Sequence, residues 1–166
     1  MTDNNNQQAQ EPQIEVKGSW GTKLESVTRK IMSVLEQDKS AKILVFSQWI
    51  DVLTLLSRAL NENSIEFLQL HGSRKKFQQC LDQFKSSLTC NVLLLPVKSG
   101  GNGLNLIEAT HVMIVEPTMN PAIEAQVLGR VHRIGQTRET YVHRFVIQDT
   151  VEEKVYTISK TKSSFR

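Results

Sequence analysis

Residues 91–117 read NVLLLPVKSGGNGLNLIEATHVMIVEP. Two short, almost purely apolar runs, at 92–95 and 112–115, flank a loop with three glycines in four residues: Gly100, Gly101 and Gly103. A run that stays apolar without alternating belongs to a strand covered on both faces, as strands of parallel sheets are. The first strand empties into the glycine loop and the second into Glu116 and Pro117, so both have their turns at the carboxyl end.

Working upstream, residues 42–46 (KILVF) and 65–70 repeat the strand signature, the latter closed by His71, Gly72 and Ser73. Helical spacing separates them. Leu24, Val27, Ile31 and Val34 follow a Thr22/Glu25 capping box; Leu53, Leu56 and Leu60 mark a helix over 50–61; Phe77, Leu81 and Phe84 mark one over 74–85. Downstream, a helix starts near Asn120, residues 140–147 (TYVHRFVI) form a further strand, and a Thr150/Glu153 capping box opens a last helix to about Lys160. Strands alternating with helices predict an α/β fold: a three-layer sandwich with a mainly parallel sheet and helices on both faces. Ligands of such sheets sit at the carboxyl ends of the strands.

The helix after the second apolar run, 120–136, reads NPAIEAQVLGRVHRIGQ. Asn120 suits the cap, Pro121 the first turn and Gly135 the stop. Gln126, Arg130 and Arg133 fall at i, i+4 and i+7 on one face, while Ile123, Val127, Val131 and Ile134 form an apolar face about a quarter turn away. Two guanidiniums held beside a packed face are either solvated surface charges or a fork for phosphate oxygens.

The string QxxGRxxRIGQ resembles motif VI of the superfamily-two helicase-like ATPases, and the ending HRIGQ is similar to the Swi/Snf group. SGGNGLNL (99–106) resembles motif V, VFSQW (45–49) motif IV, and LHGS (70–73) a turn of the same group. The resemblance covers about residues 18–160 and implies a RecA-like second lobe. Arg130 and Arg133 would then be arginine fingers reaching ATP bound mainly, with Mg²⁺, by a separate N-terminal lobe. It also implies that Gly101, Asn102, Gly103 and Gln126 lie nearest the nucleotide, and that Ser47, Gln48, His71, Lys98 and Ser99 face DNA. On the residues alone, Ser47 is equally a helix cap with Trp49 in the core. Met119 stands where many members carry a tryptophan. The wording 108–121 and 129–145 looks most like the subgroup of linker-histone, PHD and RING containing helicases, nuclear E3 ubiquitin ligases with a split motor. That implies double-stranded DNA or a nucleosome as partner, ubiquitin-conjugating machinery through an upstream RING, and a place in DNA repair and chromatin.

The chain has no GxxxxGK[ST] run and no paired acids after an apolar strand, so fingers are present without a cradle and the chain alone is expected to be inactive. The alternative is a non-catalytic, truncated DNA- or chromatin-binding module. At 166 residues, 39% hydrophobic and 22% charged, the chain suits one globular domain, with 1–17 a disordered lead-in, 18–160 the domain and 161–166 a tail. A net charge of +3 is small, but 130–144 holds four arginines and two histidines against Glu139. Cys80 and Cys90 are too few and too far apart for a zinc site or disulfide framework, and His71 has no partner carboxylate or second histidine nearby in sequence, so no metal site is expected, while His132 and His143 read as packing residues and not catalysts. No apolar run approaches the ~18 residues of a membrane span, and no signal-peptide core is visible, so a soluble intracellular protein is expected.

Overall fold

The computed structural model describes residues 14–70, 73–97, 104–131, 137–148 and 150–164. The chain runs α1 (Thr22–Gln37), β1 (Ile43–Ser47), α2 (Ile50–Glu62), β2 (Leu68–Gln69), α3 (Arg74–Ser86), β3 (Val92–Pro96), β4 (His111–Ile114), α4 (Pro121–Val131), β5 (Tyr141–Arg144) and α5 (Val151–Ser164). The strands form one sheet in the order β2-β3-β1-β4-β5, and every pairing is parallel. β1 lies at the centre, with Val45 opposite Leu94 of β3 and Met113 of β4.

The side-chain alternation of the strands divides the core in two. Ile43, Val45, Leu94 and Met113 meet Val27, Ile31, Leu53, Leu56 and Leu60 of α1 and α2 on one face. Leu44, Phe46, Leu93, Leu95 and Val112 meet Leu81 and Phe84 of α3 and Val127 and Val131 of α4 on the other. Side chains buried to this degree contribute about 1.5–3 kcal/mol each, which is why the central strands are apolar on both faces.

Several local expectations change in the folded chain. The two outer strands are shorter than their apolar runs. Among the described residues β2 pairs only with β3, and β5 runs out of partner where β4 ends, the bond from Phe145 N to Ile114 O (3.1 Å) being the last rung. The Thr22/Glu25 capping box does not form. Gly21, at φ 81°, is the N-cap, and the Glu25 carboxylate accepts from Trp20 N (3.1 Å) instead. At the start of α5 the Thr150 hydroxyl donates to Ile147 O (2.6 Å), and Glu152 accepts from Ile147 N (3.2 Å). At the entry, Lys17 exchanges two hydrogen bonds with the Asn63 side chain (2.8 and 3.1 Å), which ties the chain to the end of α2.

Two lysines clamp opposite ends of the sheet. Lys23 Nζ donates to Val115 O (2.8 Å), Phe145 O (2.5 Å) and Glu152 Oε2 (2.5 Å), joining α1, β4, β5 and α5 at the carboxyl edge. Lys42 Nζ donates to Phe84 O (2.8 Å), Ser87 O (2.6 Å) and Cys90 O (3.0 Å) at the amino edge. An ammonium has three donors, and both lysines use all of them.

Candidate nucleotide- and DNA-facing edge

The chain leaves β1 toward β2 on one side and leaves β4 toward β5 on the other. The crevice between the carboxyl ends of β1 and β4 is therefore the topological switch point, where α/β sheets bind ligands. Glu116, just past β4, fills it. Its Oε1 accepts from the Ser47 hydroxyl (2.7 Å) and from Gln48 N. Burial pushes the Glu116 carboxyl above its usual range, while the bonds from Ser47 and Gln48 and the charge of Lys23 pull it back.

α4 starts from this edge as its sequence dictates. Asn120 Oδ1 accepts from Ala122 N (3.1 Å), and Pro121 takes the first helical position. Val127 and Val131 are buried against the sheet, Ile123 is half-buried, and Gln126 is exposed one quarter turn away. Arg130 is half-buried on the same face as Gln126. The Arg130 carbonyl accepts from Leu106 N (3.1 Å), so the exit of the glycine loop is tied to α4 at the arginine.

Arg133, Gly101, Asn102, Gly103, Lys98, Ser99 and His71 lie outside the described residues, as do His132 and Gly135. Ser47 and Gln48 are placed. Ser47 is only 1% exposed, and its oxygen, besides donating to Glu116, accepts from Trp49 N (3.1 Å). It makes no side-chain cap on α2, whose N-cap is Trp49. Trp49 is not in the core: it is 61% exposed at the rim, next to Ile50. Gln48 Nε2 donates to Pro117 O (3.4 Å).

The basic run is partly neutralised. Arg144 pairs with Glu124 through Nε (2.7 Å) and Nη2, and Arg138 pairs with Asp38 (3.1 Å). A cavity of about 340 Å³ lies between α4, α5 and the end of β5, lined by Pro121, Leu128, Arg144 and Tyr156. It opens on the flank of α4 opposite Gln126 and Arg130. Among the described residues no group of three His, Cys, Asp or Glu could hold a metal, and no helix is long and apolar enough to cross a membrane. Cys80 is half-buried, Cys90 is buried, and both are free thiols.

Sequence reasoning missed Glu116 as a structural hub. The available signal was an acid placed directly after an apolar strand, at the edge where the turns converge. It also missed the contact between His111 Nδ1 and His143 Nε2 (3.0 Å), made by adjacent parallel strands.

A profile of the helicase conserved C-terminal domain matches residues 23–135. The chain belongs to that family. It is 54% identical over 152 residues to the E3 ubiquitin-protein ligase SHPRH of Homo sapiens, covering 92% of this chain and 9% of the relative. It is 35% identical over 153 residues to the DNA repair protein RAD5B of Arabidopsis thaliana, covering 90% of this chain and 12% of that protein. A crystal structure of the C-terminal part of the Fun30 ATPase domain superposes with a TM-score of 0.79 at 29% identity, covering 86% of this chain and 47% of that one. The helicase C-terminal lobe of Swi/Snf type and its RecA-like α/β fold are thereby borne out. The lobe spans about a tenth of the length of these curated relatives.

Proposed function

We propose that this lobe is the second half of an ATP-dependent DNA translocase. In this reading it supplies Arg130 and Arg133 to the triphosphate of ATP held by an N-terminal lobe, and it contacts the DNA backbone along the same edge. The observation that carries the reading is the tie between the two motifs: Gln126 and Arg130 share a face of α4, and Leu106, at the exit of the glycine loop, donates its amide to the Arg130 carbonyl. Guanidiniums there would stabilise charge developing on the transferred phosphoryl group, while Gly101, Asn102 and Gly103 approach the nucleotide by their backbone. Mg²⁺ is assigned to the first lobe, because this chain carries no paired acids after an apolar strand to hold it. The relatives are named as a ubiquitin ligase and DNA repair proteins, which supports a nuclear role in DNA repair, on duplex DNA or nucleosomes, beside ubiquitin-conjugating machinery.

The test is turnover by the lobe alone and with a first lobe, each with and without duplex DNA. The lobe alone is expected to be silent and the two-lobe assembly to be DNA-stimulated. Hydrolysis that co-purifies with the lobe alone would overturn the reading.

A further inference from the structure

Glu116, just past the end of β4, bonds two successive residues of the turn after β1. Its Oε1 takes the Ser47 hydroxyl (2.7 Å) and the Gln48 amide, and the Ser47 oxygen in turn takes Trp49 N (3.1 Å). Gln48 reaches back across the crevice to Pro117 O (3.4 Å), the residue after Glu116. Behind it, Val115 O is held by Lys23 and Val115 N bonds Phe46 O (3.0 Å), so Glu116 hangs from a fixed point of the sheet. Four residues on, Asn120 caps α4.

The turn 47–49 and the connection 116–120 therefore share one anchor. The first presents Gln48, exposed Trp49 and exposed Ile50 to the rim; the second launches the helix that carries Gln126 and Arg130. Ser47 is too buried to reach a ligand, and its hydroxyl is engaged. Its place in the motif is explained by this internal bond.

We propose that Glu116 is a positioning residue: by bonding Ser47 and Gln48 it locks the DNA-side turn after β1 to the root of the nucleotide-side helix α4, so that DNA engagement at the turn is transmitted to the arginines. This inference rests on the function proposed above. Only one carboxylate oxygen is used, so the role demands a correctly placed acceptor and not a charge. A glutamine amide oxygen can fill it; an alanine cannot.

The experiment compares Glu116→Ala, Glu116→Gln and Ser47→Ala in the two-lobe assembly. For each it reads the duplex concentration giving half-maximal stimulation of turnover, with thermal melting beside it and Arg130→Ala as a reference. Glu116→Ala is expected to raise that concentration by roughly tenfold, the size of losing two hydrogen bonds, and Glu116→Gln to stay within about twofold. If Glu116→Ala does not fold, Ser47→Ala decides, with a severalfold rise expected from losing one of the two bonds. Wild-type behaviour of Glu116→Ala, or of Ser47→Ala where that variant decides, overturns the inference, as does equal loss in Ala and Gln. Arg130→Ala separates the two claims. If it abolishes turnover while Glu116→Ala behaves as wild type, only the positioning role fails. If Arg130→Ala turns over normally, the finger reading itself fails.

Discussion

His111 shows how one residue carries a solution property. It stands at the start of β4, stacked on Tyr141 (5.2 Å) and His143 (5.3 Å) of β5, and its Nδ1 meets His143 Nε2 at 3.0 Å. That bond needs one protonated and one bare nitrogen. Burial holds the His111 pKa below its usual value; Asp38 opposes this, while Lys30 and Arg138 reinforce it. A depressed folded-state pKa gives stability that is present above the unfolded histidine pKa of about 6.5 and is lost as pH falls through the folded value. Melting curves across this range should show the wild-type chain losing stability on acidification more steeply than His111→Gln. Equal slopes would place the imidazole in an unstrained, solvated site. Nothing in the sequence announced this pair, because His111 and His143 meet only through the register of two parallel strands. Ser47 is the reverse case: its motif was visible, but its bond to an acid 69 positions away was not.

At the scale of elements, apolar periodicity located the described strands and α1 to α4, because burial on two faces leaves an unbroken run and burial on one leaves helical spacing, while α5 was placed by its Thr150/Glu153 start signal. Ends were less legible. The last rungs of β2 and β5 depend on how far a neighbour extends, and the caps depend on distant donors. Lys42 illustrates the second point. It reads as the polar start of a strand, yet its ammonium closes the C-terminal turn of α3 by binding the carbonyls of Phe84 and Ser87, with Cys90 O as third acceptor and the Phe84 ring 5.1 Å away. A cation at a helix C-terminus also meets the negative end of its dipole. Lys42→Met keeps the stem and removes the donors, and should cost about 2 kcal/mol in denaturant unfolding, with the same slope against denaturant concentration. A loss below about 0.5 kcal/mol would mean that water satisfies those carbonyls equally well.

For the whole molecule, the sheet order brings the turns after β1 and β4 and the root of α4 to one edge, and α4 runs from there to Arg130, whose carbonyl accepts from Leu106 N at the exit of the glycine loop. The sequence motifs implied that convergence, and the order β2-β3-β1-β4-β5 supplies its geometry. What composition could not show is how the charges are spent: Arg138 and Arg144 serve ion pairs inside the lobe, so the basic run is a weaker DNA surface than its count suggests. The account therefore turns on Arg130 and Arg133. The decisive measurement is DNA-stimulated ATP turnover by the two-lobe assembly carrying Arg130→Ala, Arg133→Ala or Arg133→Lys, with nucleotide affinity and melting read on the same samples and His132→Ala as control. Each arginine variant is expected to fold and bind ATP but to lose about a thousandfold or more in turnover, as removal of an arginine finger does, with lysine no better than alanine because an ammonium cannot reproduce the fork. Near-normal turnover in both alanine variants would make these arginines ordinary surface charges and contradict the finger assignment.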